Sequence, residues 1–465
     1  MSAPAAPTLW DRLADEVGGL ISEDVRGRVA SISGLTVTAD GLPLPIGAEC
    51  VIRTRDEQTI PAEVVALRRE KTVLTVFSEA MGIAPGDAVA CASGASRVAV
   101  GQDLIGRVID ARGRMLDGRD PPLLNLRYPL TADPPPAMRR RPIDQPLGTG
   151  IRALDGLLTA GRGQRLGVFA GTGVGKSVLM GMIARHTQAD VNVIAMIGER
   201  GREVLDFIRN DLGDAGLARS VVVVCTSDEA PSLRVRACFQ ATAIAEYFRD
   251  QGADVLLMMD SLTRVAMAQR QIGLAAGEPP TAKGYPPSAF AMLPRLLERA
   301  GRTQTGSITG LYTVLVEGDD IDEPLADAVR GILDGHIWLA RKLANRGHYP
   351  AIDVLSSISR VAPQVIDEQH ASAALAVRRV LATWDDIEDL VNIGAYVRGA
   401  DRDYDVAVDT REAVAHFLQQ RRDEPAGFEQ NRAALLKLGE LIESTRARLS
   451  SSTTGNAAAA AAKTQ

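Results

Sequence analysis

Hydrophobic and polar positions change their spacing along the 465 residues, and each change marks a different kind of element. Near the start, Leu9, Trp10, Leu13, Val17, Leu20 and Ile21 fall on one helical face, with Asp11, Arg12, Asp15 and Glu16 opposite. Thr8 and Asp11 make a capping pair. The polar face lacks the basic character of a membrane-surface helix, so residues 1–24 read as a partner-binding helix, with packing on its own domain as the plainer alternative. From 25 to 100 the texture becomes short β-rich runs (VRGRVASISGLTV, AECVIRT, AEVVALR, KTVLTVF) separated by Gly, Pro and Asp turns, which predicts a small β-barrel. Its strands supply few aromatics for base stacking, which argues against an oligonucleotide-binding barrel.

Residues 101–143 read as a connecting segment, with turn chemistry in GRVIDARGRMLDG and a proline-rich joint at 133–136 followed by Arg139, Arg140 and Arg141. From 144 to 365 apolar runs (GVFA, NVIAMIG, SVVVVCTS, DVLLMMD, ITGLYTVLV, GHIWLAR) alternate with helical runs. Continuous apolar strands between helices predict a mostly parallel sheet covered on both faces, the α/β class. Residues 366–449 turn helical, and 450–465, low in complexity, read as a disordered tail. Arg295, Arg299 and Arg302 are expected on a solvated helix face.

Composition narrows the class. Apolar content of 46% and charged content of 24% are those of an ordinary globular protein. A net charge of −6 with only 4% aromatics argues against a nucleic-acid surface. Cys50, Cys91, Cys225 and Cys238 show no CxxC pairing, which fits a reducing cytoplasm and no structural metal. No apolar run reaches membrane-spanning length, so membrane association would have to be peripheral.

The chemistry concentrates at RLGVFAGTGVGKSV, a strand, glycine-rich turn and helix in the order a P-loop requires. Gly171, Thr172, Gly173, Val174, Gly175, Lys176, Ser177 and Val178 would surround the phosphates, with backbone N–H groups converging on oxygen where no Cβ intrudes. Lys176 would reach the terminal phosphates and Ser177 would ligate Mg²⁺. The strict pattern opens on Gly, whereas Ala170 stands here. Asp260, at the tip of the run VLLMMD, is the expected second Mg²⁺ partner. In MIGERGREV, Glu199 can serve as the base that polarises water and Arg200 as a γ-phosphate sensor; a surface salt-bridge network with Arg202 and Glu203 is the alternative. The loop GEPPTAKGYPP carries Lys283 and Tyr285, either for a partner or as a rigid turn.

Long blocks of the chain resemble the homohexameric type III protein-export ATPases, relatives of the rotary ATP synthase β subunit. They include AGTGVGKS, IGERGREV, DSLTRVAMAQRQIGLAAGEPPTAKGYPPSAFAMLPRLLERAG, GSITGLYTVLVEGDD and LVNIGAYVRGAD. AGTGVGKS with its leading Ala, AVRGILDGH and NIGAY look more like the flagellum-specific branch than the injectisome branch. The resemblance implies ATP and Mg²⁺ as ligands, Glu199 as catalytic glutamate and Arg200 at the terminal phosphate. It also implies Tyr349 stacked on adenine and Arg360 as an arginine finger acting on the neighbouring subunit's nucleotide. A homohexamer follows. So do a stator-like regulator on the N-terminal helix and a coiled-coil stalk protein facing the C-terminal domain near 394–403. Export gate, chaperones and export substrates complete the implied partners, at the cytoplasmic face of the inner-membrane export apparatus.

Overall fold

The computed structural model describes residues 25–93, 96–316, 320 and 323–462, the last twelve by backbone alone. The expected N-terminal helix lies outside the described residues. Six strands close a barrel in the spatial order Arg26–Ser33, Thr36–Asp40, Lys71–Val76, Thr59–Arg68, Glu49–Arg53 and Ala88–Ser93. Val29, Val37, Ile52, Val64, Leu74 and Val89 share its core; burial alternates with period two along Glu49–Arg53, whereas Lys71–Val76 is buried at nearly every position.

Among the described residues the central sheet has nine strands. Along its main path the order is Ile352–Ser359, Gly335–Leu339, Arg165–Ala170, Ser307–Leu315, Asp254–Asp260, Val191–Glu199, Ser220–Thr226 and Arg107–Asp110. Every neighbouring pair on that path is parallel except the first. Alternate residues of the apolar strands feed two separate cores. Phe169, Val193, Ala195, Leu257, Met259 and Val314 belong to one, covered by helices Pro231–Asp250, Leu262–Ala275 and Pro287–Leu297. Val168, Ala170, Ile194, Met196, Leu256 and Met258 belong to the other. That second core also takes in Val377, Val380 and Ile387 of Glu368–Asn392, Val406 of Arg402–Leu418 and Leu435 of Phe428–Ala462. The C-terminal helices are therefore continuous with one core of the central sheet.

Three expectations change. The stretch 101–143 does more than connect, because Arg107–Asp110 extends the sheet and Arg140 bonds the carbonyls of Glu298 and Ala300. Arg299 is fully buried, since its helix ends at Leu297; its fork meets Glu246 (Nε to Oε1 2.9 Å, Nη2 to Oε2 2.5 Å), and Nη1 donates to Leu130 O at 2.8 Å. Arg302 lies in the short strand Gly301–Arg302 paired with Asp144, so of the three arginines Arg295 alone is on the exposed face. The last helix runs to Ala462, through the stretch expected to be a disordered tail, where an alanine run carries the highest helix propensity.

Candidate active site

Strands Arg165–Ala170, Val191–Glu199 and Asp254–Asp260 run parallel, so their C-terminal ends open on the same side of the sheet. Ala170 is completely buried at the end of the first. The turn that follows is built on Gly173 (φ 78°) and Gly175 (φ 93°), both left-handed, which a side chain would strain. Gly175 directly precedes helix Lys176–His186, so the loop ends on the first unpaired N–H groups of an eleven-residue helix. Thr172 and Gly173 are exposed, Val174 is buried as the loop's anchor, and Lys176, Ser177 and Val178 are half-buried.

Lys176 joins the other two strand ends. Its Nζ donates to Asp260 Oδ1 and lies 3.7 Å from Glu199 Oε1. Asp260 is 2% exposed and also accepts from Thr313 Oγ1 at 2.7 Å. Glu199 is aimed by a local irregularity: the pairing with Ser220–Thr226 slips between Ile197 and Glu199, at Gly198 (φ 71°). A Cβ on Gly198 would come within 2.7 Å of Arg264 Cβ, so glycine lets Arg264 lie beside this strand end. Burial pushes the Glu199 carboxyl up to about 7; Asp260 adds to the rise and Lys176 opposes it. Its Oε1 is buried without a hydrogen-bond partner. Such an acceptor suits a bound water.

Glu199 is thus a buried partner of Lys176, with Glu203 as a further neighbour, and no part of an exposed salt-bridge network. Arg200 and Glu203 do form an exposed pair at 3.3 Å, as do Arg202 and Asp206 at 3.6 Å, and the Arg200 side chain is 82% exposed. Tyr349 is brought in from the far side of the loop: a Cβ on Gly175 would touch its ring at 3.4 Å. The Tyr349 carbonyl accepts from Gln420 N at 3.0 Å, and Gln420 also bonds Gly150 O and the Arg152 amide, so a loop of the C-terminal region holds the tyrosine. Arg360 is not part of this cluster. It follows Ile352–Ser359, which runs antiparallel to Gly335–Leu339, and its amide donates to Asp334 O at 3.0 Å. Asp334 in turn bonds Arg165, the first residue of the strand leading to the P-loop. Arg360 therefore stands at the opposite end of a six-residue strand, about 20 Å long.

Sequence reasoning passed over Arg264, Arg341 and Thr313. Arg341 Nη1 donates to the P-loop carbonyl of Thr172 at 3.1 Å. Nothing in the strand's sequence, SITGLYTVL, singles out Thr313, because Ser307, Thr309 and Tyr312 carry hydroxyls as well. The loop residue Tyr285 is buried against Phe290 with Arg270 over its ring, which anchors the C-terminal end of the loop Gly277–Pro287, while Lys283 is exposed.

Fold and site together define a P-loop nucleotide-binding protein built like the catalytic subunits of rotary ATPases. The ATP synthase alpha/beta family nucleotide-binding domain matches residues 150–359, and the beta-barrel domain of that family matches 29–91. The T3SS EscN ATPase C-terminal domain matches 366–437. The flagellum-specific ATP synthase of Bacillus subtilis (strain 168) is 54% identical over 414 residues, 89% of this chain and 94% of that relative. A type 3 secretion system ATPase of Xanthomonas euvesicatoria is 49% identical over 424 residues, 91% of this chain and 96% of that relative. The solved structure of the assembled ATPase EscN from enteropathogenic E. coli matches with a TM-score of 0.84 at 44% identity, covering 89% of this chain and 100% of that one. The chain belongs to the family of flagellum-specific and type III secretion ATPases. Among the described residues no helix is long and apolar enough to cross a membrane.

Proposed function

We propose that the chain hydrolyses Mg²⁺·ATP in a homohexameric ring that serves flagellar protein export, with each site completed by a neighbour. The observation that carries this reading is the meeting of Lys176, Glu199 and Asp260 at three strand ends beside a glycine-rich helix start. Gly171 to Val178 cradle the phosphates, Lys176 pairs with the terminal ones, and the Tyr349 ring beside Gly175 stacks on adenine. Glu199 Oε1, buried and without a hydrogen-bond partner, holds the attacking water and takes up its proton. Arg200 swings from its Glu203 partner to the terminal phosphate as the ring closes. Arg360 of each subunit, too far from its own P-loop, reaches the γ-phosphate of the next and neutralises charge in the transition state.

The residues fit Mg²⁺. Among the described residues no cluster of three or more His, Cys, Asp or Glu side chains could cage a metal. One hydroxyl, Ser177, and one carboxylate, Asp260, are the sparse donor set of an ion that keeps its waters and takes phosphate oxygens. Bound there, it would neutralise charge on the β- and γ-phosphates.

The assembled state of EscN, and its complex with the central stalk EscO, support a ring of this chain around a coiled-coil stalk that faces the C-terminal helices. A stator-like regulator on residues 1–24, the export gate, chaperones and export substrates complete the partners. The ring works in the cytoplasm, peripheral to the inner membrane. Flagellar relatives at 54%, 50% and 48% identity stand beside secretion-system relatives at 50% and 49%, so the flagellar assignment rests on the leading Ala170 and the NIGAY segment. The decisive variant is Glu199→Gln, expected to abolish turnover while ATP binding, read by a fluorescent nucleotide, stays within a few-fold. Undiminished hydrolysis would remove Glu199 from this role.

A further inference from the structure

Thr313 lies deep in strand Ser307–Leu315 and is completely buried. A threonine there has a shape that valine could supply equally well, since both are β-branched and suit a packed strand. What valine lacks is the hydroxyl, and burying a hydroxyl costs free energy unless it is paired. The partner here is specific. Met259 pairs with Tyr312 across the ladder, so Thr313 comes level with Asp260, and its Oγ1 lies 2.7 Å from Asp260 Oδ1. The same oxygen is 3.3 Å from Met259 O. A hydroxyl has one proton to donate, and the shorter contact to a charged acceptor is the stronger claim on it.

The second observation concerns which carboxylate oxygen is held. Lys176 Nζ and Thr313 Oγ1 both donate to Oδ1. With Oδ1 fixed from two sides, rotation about the Asp260 Cβ–Cγ bond is restricted and Oδ2 keeps one direction. The strand carrying Thr313 is itself latched to the segment after Asp260, because Leu315 N donates to Thr263 Oγ1 at 2.8 Å. The two threonines thus tie the strand end bearing the acid to its neighbour on both sides of Asp260.

We propose that Thr313 is a positioning residue for metal-bound nucleotide: it holds Asp260 Oδ1 so that Oδ2 is presented to Mg²⁺ and its waters. This rests on the reading of Asp260 as the metal-facing acid. Thr313 itself touches neither nucleotide nor metal; it acts through Asp260.

The test compares wild-type protein with Thr313→Val, Thr313→Ser and Asp260→Asn. Fluorescent ATP-analogue affinity is measured with Mg²⁺ in excess and with chelator, and the Mg²⁺ concentration for half-maximal hydrolysis is measured separately. Loss of one hydrogen bond to a charged group corresponds to roughly tenfold. Thr313→Val is expected to leave chelator-state binding and the thermal midpoint near wild type. Its Mg²⁺ midpoint should rise about tenfold, and the affinity gained on adding Mg²⁺ should shrink by a similar factor. Thr313→Ser, which restores the hydroxyl, should recover most of both. If Thr313→Val keeps the wild-type Mg²⁺ midpoint and Mg²⁺ gain while Asp260→Asn loses them, the positioning role is overturned and the metal reading survives. If Asp260→Asn also keeps both, the metal reading falls and takes this role with it. A Thr313→Ser variant as impaired as Thr313→Val would likewise overturn it, since the defect would then be one of packing.

Discussion

Lys176 Nζ stands 3.7 Å from Glu199 Oε1 while donating to Asp260 Oδ1, so one ammonium group is shared by two buried carboxylates. Each acid is at the end of its own strand, and no two of the three residues are closer than 23 positions in sequence. The relationship makes Lys176 both the phosphate ligand and the charge that allows two acids to coexist in a buried site.

Replacing Lys176 by Ala removes a charge-assisted contact made in the ground state. Nucleotide affinity should fall about 10- to 100-fold, along with turnover. Equilibrium titration with a fluorescent nucleotide checks this, and unchanged affinity would remove Lys176 from phosphate binding.

The raised pKa of Glu199, about 7 against an ordinary 4.5, has a measurable consequence for the ligand-free chain. The folded protein holds this proton more tightly than the unfolded one. The stability so contributed is complete below the ordinary carboxylate range and is lost as pH rises through about 7. Glu199→Gln lacks the titration. Its melting temperature should therefore gain on wild type between those limits, by on the order of a few degrees, and stay level above them. Scanning calorimetry from pH 5 to pH 8.5 would show a flat difference if Glu199 titrates normally.

The strand-length separation between Arg360 and the P-loop of its own chain predicts complementation. Rings of Arg360→Ala alone or Lys176→Ala alone should both be inactive. Mixed rings contain interfaces that pair an intact pocket with an intact Arg360, and a fraction of activity should return. Absence of any recovery in rings shown by mass spectrometry to be mixed would argue against a shared site.

Arg299 and Glu246 form a fully desolvated, two-pronged pair that also fixes Leu130 in the segment leading from the barrel. Arg299→Ala strands a buried carboxylate and should cost about 3–5 kcal/mol in denaturant unfolding. Replacing both partners with apolar residues should recover much of that loss, since no unpaired charge then remains.

Several of these features could be read in the sequence because their causes are local. The glycine spacing of 171–175 forces a turn whatever surrounds it, and six apolar runs were strands because nothing else buries them so completely. Other features depended on neighbours distant in sequence. Arg107–Asp110, only four residues and rich in turn signals nearby, became a strand by finding the edge left open by Ser220–Thr226. Arg299 sits past a helix end, where periodicity no longer predicts direction, and its burial was decided by Glu246 on another helix.

The chain's own order of residues determined the phosphate turn, the division into barrel, parallel sheet and helices, and which side chains could do nucleotide chemistry, because each follows from spacing over a few residues. Folding in three dimensions alone decided that Glu199 is buried beside Lys176 and that Arg200 is exposed beside Glu203. It also decided that Thr313 grips Asp260 and that Arg360 lies a strand's length from its own pocket. Those outcomes depend on which strand lies beside which, and strand order is a property of the whole sheet that no local stretch encodes.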